Sequence, residues 1–161
     1  MEAAKEQPCI KGKVKIITYK AGTKEILRET DFTPNRIMLG TNTGKTLILQ
    51  RLGCDNTYSL NPTYAEIGTG ITTPADADVA LAAPVVRAAF ANSSISGNIL
   101  SNFYFFSDGV LANGTYYEFG TFIDGTATIG TGKIFNRVLF SVPYTKASGE
   151  DTTVQLDITI T

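Results

Sequence analysis

The closing segment, Thr152 to Thr161, alternates without a break: Val154, Leu156, Ile158 and Ile160 are apolar, while Thr153, Gln155, Asp157 and Thr159 between them are polar. A period of two gives such a stretch one dry face and one wet face, which is the pattern of a half-buried β-strand. Whatever the rest of the chain does, it must supply a sheet for this strand to join.

Several other stretches read the same way. From Cys9 to Tyr19, Lys11, Lys13 and Lys15 face one side and Ile10, Val14 and Ile16 the other. A row of lysines on an edge also discourages unwanted pairing. Ala21-Gly22-Thr23-Lys24 reads as a turn and Glu25 to Thr30 as the return strand. Pro34-Asn35 breaks the pattern. Further strands are expected at Tyr64–Ile67, Val85–Ile95, Asn98–Ser107, Thr115–Ile123 and Lys133–Tyr144, with a long connection from Gly68 to Ala83. The best helix is Thr43 to Leu52, capped by Thr43, with Leu47, Ile48, Arg51 and Leu52 on one face and Gly53 as the stop. Many short strands and one helix predict a mainly β fold: an antiparallel β-sandwich or jelly-roll-like barrel with one short α-helix. A polar arm, residues 1–8, precedes a single domain, residues 9–161.

Two strands are apolar on both faces. One holds Phe103-Tyr104-Phe105-Phe106; the other holds Tyr116 and Tyr117 with Phe119, Phe122 and Ile123. Either the helix and the long connection cover them, or a neighbouring subunit does, and the second is favoured because a monomer rarely leaves such a patch wet. The expected interface residues are Lys11, Lys13, Lys15, Phe103, Phe105, Tyr116 and Tyr117.

The net charge of −1 conceals an asymmetry. Residues 1–51 carry ten Lys/Arg against five Asp/Glu, or +5, and residues 52–161 carry four against ten, or −6. That separation suits head-to-tail contacts between copies or docking on an acidic shell, and equally suits a solvated face. The two cysteines, Cys9 and Cys54, make no disulfide framework and are expected as buried free thiols. No signal-peptide core and no membrane-length apolar run is visible, so a membrane partner is not expected.

The chain has no histidine. Nucleophile systems that rely on an imidazole base, and zinc sites that use one, are therefore out of reach, and no enzyme activity, cofactor or metal is expected. Gly40-Thr41-Asn42-Thr43-Gly44-Lys45-Thr46 resembles a phosphate-binding loop before a helix, but three residues separate its glycines where four are required. A capped helix start after a turn explains it better. Gly68-Thr69-Gly70 is too short for a dinucleotide fingerprint, and Asp76-Ala77-Asp78 lacks the hinge glycine and distal glutamate of a calcium loop, so a helix-capping role is expected there. The basic first strand lacks the interleaved aromatics of a nucleic-acid platform, so sequence-specific nucleic-acid binding is not expected. Glu66, Arg87, Glu118 and Arg137 all fall inside expected strands. A buried charge there needs a partner, which predicts the pairs Glu118–Arg137 and Glu66–Arg87, acting to fix strand register.

The order of segments carries a resemblance that covers nearly all of the chain after residue 9. It consists of the hairpin opening Lys11-Gly12-Lys13-Val14-Lys15-Ile16, the helix Gly44–Leu52, and Tyr64-Ala65-Glu66-Ile67-Gly68-Thr69-Gly70. Thr73-Pro74-Ala75, Asp78 to Leu81 and the strand with Arg87 follow, then Glu118-Phe119-Gly120-Thr121-Phe122, Asn136-Arg137-Val138-Leu139-Phe140, Lys146 and the Thr-rich end. In this order the chain resembles small bacteriophage virion proteins described as structural, neck or tail-associated. The resemblance implies a virion part, assembled in the host cytoplasm, that decorates the capsid or belongs to the neck, collar, tail or fibre attachment. Its implied partners are itself, as a homo-oligomer, and other virion proteins. A different class, a carbohydrate-binding host-recognition (adhesin-like) sandwich, would use the clustered tyrosines, although the chain has no tryptophan.

Overall fold

A computed structural model describes residues 9–161; the arm of residues 1–8 lies outside the described residues. In chain order the elements are β1 (Ile10–Lys20), β2 (Ile26–Glu29), β3 (Thr33–Ile37), α1 (Gly44–Leu52), β4 (Tyr64–Gly68), β5 (Pro84–Ser96), β6 (Ile99–Phe106), β7 (Gly114–Ile123), β8 (Lys133–Lys146) and β9 (Glu150–Ile160). All pairings are antiparallel. The fold is mainly β with one short helix.

Eight of the strands close into a barrel, in the order β1-β3-β8-β7-β4-β5-β6-β9 and back to β1. β2 stands outside the ring and shares one edge of β1 with β3: β3 pairs at Gly12–Val14, and β2 at Ile17–Tyr19. Closure removes most exposed edges, which an open sheet of this length would leave unpaired. The alternating closing segment, β9, lies between β1 and β6, with Val154, Leu156 and Ile158 facing inward.

The main core fills the barrel with Val14, Ile16, Ile67, Tyr104, Phe106, Phe119, Val138, Val154 and Leu156 among its members. Tyr104 meets the ring of Phe119 edge-on at 5.9 Å, a geometry worth about 0.5–1.5 kcal/mol beyond area. Burial pushes the Tyr104 phenol above its ordinary pKa, and its hydroxyl donates to the Pro62 carbonyl at 3.2 Å. A small polar layer interrupts the apolar filling: the Thr121 hydroxyl bonds Asn136, whose amide donates to Asn35 at 3.1 Å.

Four details of the sequence reading change. Pro34 lies within a strand, β3, which the broken pattern concealed. β3 pairs with β8 only at Arg36 and Ile37, so the missing Pro34 N–H costs no rung there. The helix begins at Gly44, with Leu47 buried and Ile48 half-buried, but Arg51 and Leu52 point into solvent. Gly53 is not the left-handed residue at its end; Cys54 is, with φ +63. Cys54 is consequently exposed and Cys9 half-buried, and both thiols are free.

The apolar faces of β7 have separate explanations. Phe122 packs with Met38, Leu81 and Ile134 beneath the 69–83 connection, and Ile123 packs with Leu47 of α1. The chain's own helix and loop cover this strand, where a neighbouring subunit was expected. Among the described residues, none gives β6 such a cover over Phe105, which is left exposed.

Candidate functional site

The chemistry-bearing side chains gather on the outside of the barrel, over β4, β5, β7 and β8. Glu66 and Arg87 are directly opposite across β4 and β5. Glu118 and Arg137 are offset by two pairs across β7 and β8, because Glu118 lies opposite Leu139 and Gly120 opposite Arg137. A Cβ on Gly120 would press on the Asn136 carbonyl and the Leu81 side chain, so that position holds glycine to let the roof come down.

Glu118 is fully buried and accepts five hydrogen bonds. Three come from backbone N–H groups of the 69–83 connection: Gly70 at 3.1 Å, Ala82 at 3.0 Å and Ala83 at 2.7 Å. Two come from Arg137, Nε at 3.0 Å and Nη2 at 2.8 Å. Arg137 spends its remaining donors on the same connection, reaching Asp78 at 2.5 Å and the Thr72 carbonyl and hydroxyl at 3.0 and 2.9 Å. This explains Gly68-Thr69-Gly70. A Cβ at either glycine would collide with Glu118 Oε1. The glycines let backbone approach a carboxylate of the protein itself.

Arg87 works in the same way on the 124–132 loop. Its Nε donates to Glu66 Oε1 at 2.6 Å, Nη1 to the Thr126 carbonyl at 2.5 Å, and Nη2 to the Thr131 carbonyl at 2.6 Å. The guanidinium lies 4.6 Å from the Phe122 ring centroid, a cation–π contact in a desolvated place. Glu66 Oε1 also accepts from Gly130 N at 3.0 Å, while Oε2 has no partner among the described residues. The two pairs therefore fasten loops to the wall, beyond setting strand register. Glu118, with both oxygens occupied and no solvent contact, is a latch for the 69–83 connection.

Asp76 and Asp78, expected as helix caps, belong to this roof. Asp76 holds Arg36 through two bonds of 2.9 Å, which keeps its carboxyl below the usual range, and Asp78 holds Arg137. A third buried cation, Lys146, reaches Asp108 at 2.5 Å and Asn113 at 3.2 Å. Among the described residues no group of three or more Cys, Asp or Glu is placed to hold a metal. The loop that resembles a phosphate site is filled by protein. Gly44 sits at φ +40 with the Met38 and Phe135 backbones where a Cβ would be, and Lys45 N donates to the Met38 carbonyl at 2.8 Å.

The opposite wall, β1-β9-β6, carries the expected interface residues in register. Lys15, Gln155 and Phe103 form one cross-strand row, Lys13, Asp157 and Ser101 the next, and Lys11, Thr159 and Ile99 the third. Phe105 is 46% exposed and Phe103 half-buried. Beyond them the β5–β6 hairpin stands clear, with every residue from Ala89 to Asn98 exposed and Ile95 at 77%. Tyr116 does not belong with this group. It is buried in the core, and its hydroxyl donates to the Ala112 carbonyl at 2.8 Å. Tyr117 is half-buried, on a different strand.

The charge asymmetry finds its partners inside the molecule. Lys13 lies 3.9 Å from Asp157, Arg28 donates to Glu150 at 2.5 and 2.7 Å, and Arg36 holds Asp76. Three basic residues of the first third thus meet acidic residues of the remainder, while Lys15 and Lys20 pair with Glu29 and Glu25 within it. The sequence reading missed Asp157, which also accepts from Ser101 and Gln155, and Phe32, whose ring lies 4.1 Å under Lys13. It missed the Arg28–Glu150 clamp as well. Arg28 lies in a strand whose four residues are all exposed, so no alternation marks it out.

Comparison of the chain with protein-family models, with curated proteins and with solved structures finds no match.

Proposed function

We propose that this protein is a structural component of a bacteriophage virion that binds copies of itself or other virion proteins through the bare β1-β9-β6 wall and the β5–β6 hairpin. The segment order and its resemblance to small virion proteins motivate the reading. One observation carries it: the chain roofs one wall of its barrel with its own loops and, among the described residues, leaves Phe105 exposed and Phe103 half-buried on the other, with Ile95 exposed on the adjoining β5–β6 hairpin. Exposed aromatic and aliphatic side chains are the composition of the centre of a docking surface, and the lysine row would lie at its polar rim. Glu118 also supports it, because both of its oxygens are committed to Arg137 and to holding the 69–83 connection. A jelly-roll-like assignment of the barrel rests on its fold-back pairs, β1 with β9, β3 with β8, β4 with β7 and β5 with β6.

The sugar-binding alternative draws less support. Tyr104, Tyr116 and Tyr144 lie in the core, so the tyrosine cluster that motivated it is mostly turned inward. The test is quantitative mass spectrometry of purified phage particles together with light scattering of the isolated protein. Detection in the particle at a fixed copy number, with oligomers that Phe103→Ser/Phe105→Ser dissociates, is the expected result. Absence from particles and a strictly monomeric protein would reject the proposal, and glycan-array binding would favour the alternative.

A further inference from the structure

The inside of the barrel is not filled to its end. Near α1 the core gives way to an apolar cavity of about 230 Å³, walled chiefly by Ile10, Ile48, Leu60, Leu100, Phe135 and Ile158. A second hollow of about 450 Å³ extends beneath Phe90 and shares Pro62, Leu100 and Asn102 with the first. Among the described residues no lysine, arginine, aspartate or glutamate lines either space.

Asn102 stands at the junction. It follows Leu100 and precedes Tyr104 on the inward face of β6, is only 3% exposed, and lines both spaces. Its side-chain amide makes no hydrogen bond to another described residue, whereas Thr121 bonds Asn136 and Asn136 bonds Asn35, whose own Nδ2 is left without a partner. As part of the lining of both spaces, the Asn102 carboxamide has a donor and an acceptor to offer a molecule that enters them.

We infer that this cavity is a binding site for a small uncharged organic molecule, mostly hydrocarbon, with a single hydroxyl, carbonyl or amide group that bonds Asn102. The size follows from packing. A dry cavity of about 150 Å³ accepts benzene, so about 230 Å³ takes a molecule of roughly eight to ten non-hydrogen atoms. The charge follows from the lining, since an ion placed there would be desolvated with nothing to pair it. The polar group follows from Asn102, which offers both a donor and an acceptor. This site is inside the barrel and stands apart from the wall proposed as an interface, so either can fail without the other.

The experiment uses the full-length protein and naphthalene, a neutral ten-carbon fluorophore of that size whose emission is shielded from iodide quenching when it is bound. The probe is expected to bind and to be displaced by 1-octanol at concentrations at least about tenfold lower than sodium octanoate requires. Asn102→Leu is expected to weaken 1-octanol about 3–10-fold, the worth of one neutral hydrogen bond, while leaving octane unchanged or tighter. Ile158→Phe is expected to fill the space and abolish displaceable binding. Should that variant unfold by circular dichroism, Ile160→Trp at the exposed rim serves in its place. Failure of the probe to bind, equal displacement by octanoate and octanol, or undiminished binding in the filled variant would each overturn the inference.

Discussion

The roofed wall of β4, β5, β7 and β8 and the bare wall of β1, β9 and β6 are built from strands with the same alternation, yet they solve the problem of their outer faces differently. On the roofed wall the outward positions include Glu66, Arg87, Glu118 and Arg137, and loops are drawn over them until all four are buried. On the bare wall Lys11 and Phe105 are exposed, while Lys13 and Lys15 are half-buried, Lys13 lying near Asp157 and Lys15 bonded to Glu29. Arginine makes the difference. Its fork serves a strand carboxylate and several loop carbonyls at once, whereas a lysine row on a strand offers point charges that prefer water.

If that contrast is right, the largest effect comes from the latch. Glu118→Ala strips three loop N–H groups and Arg137 of their acceptor, and should cost about 3–5 kcal/mol in urea denaturation. Replacing both partners, as Glu118→Leu with Arg137→Met, should recover much of that loss. A single variant as stable as the parent would show that the roof holds by other means.

Gly70→Ala should come next, at about 2–3 kcal/mol, because its methyl group collides with Glu118 Oε1 and lifts the strap. The sharper readout is hydrogen exchange: protection should fall across the 69–83 connection and stay unchanged in β1 and β9.

A smaller, pH-dependent effect belongs to the seam between the walls. β8 bulges beside Tyr117, where Phe140 to Pro143 stand against that one residue, and it pairs with β3 only at Asn136 and Arg137. Arg28 bridges the gap, donating to Glu150 and to the Thr145 carbonyl at 2.7 Å. The Arg28 hydrogen bond holds the Glu150 carboxyl down at about 2, against an ordinary value of 4.5. A carboxylate depressed in the folded state stabilises the fold above its unfolded pKa. That contribution should disappear as pH falls from about 4.5 to about 2. Because Arg28 is 42% exposed, solvent screening limits it to about 1–2 kcal/mol. In Arg28→Met, stability measured between pH 5 and pH 2.5 should lose that part of its slope.

The smallest effect on stability should come from the bare wall. Phe105→Ser should change unfolding free energy by less than about 0.5 kcal/mol while weakening self-association in sedimentation velocity. A large destabilisation there would mean that the two walls are alike and that Phe105 is part of the core.

Much of this was legible in the residues. Strands β5 to β9 fall where alternation and turn residues put them, and α1 follows from Thr43 and its apolar side. The two arginine–glutamate pairs follow from one rule, that charged side chains inside strands need partners. β3 was hidden because it is five residues long and contains Pro34. The pairing of its neighbours supplies what its own sequence does not. Tyr116 was misplaced because a tyrosine whose ring is buried and whose hydroxyl meets a backbone carbonyl reads, in sequence, like one on a surface. Asn102 gave no signal, since nothing in its neighbours marks it as the polar floor of an apolar space.

The sequence by itself determined the local terms: period-two strands, the capped helix, the glycine turns and the need of four strand charges for partners. These depend on residues close in the chain, and backbone sterics and side-chain polarity act at that range. Tertiary structure decided the closure of the ring, which wall received the loops, and where the core stopped short of the barrel's end. Those outcomes depend on contacts between residues 14 to 152 positions apart, such as Lys15 with Glu29 and Cys9 with Thr161. No local pattern encodes which of two equally alternating faces a distant loop will cover.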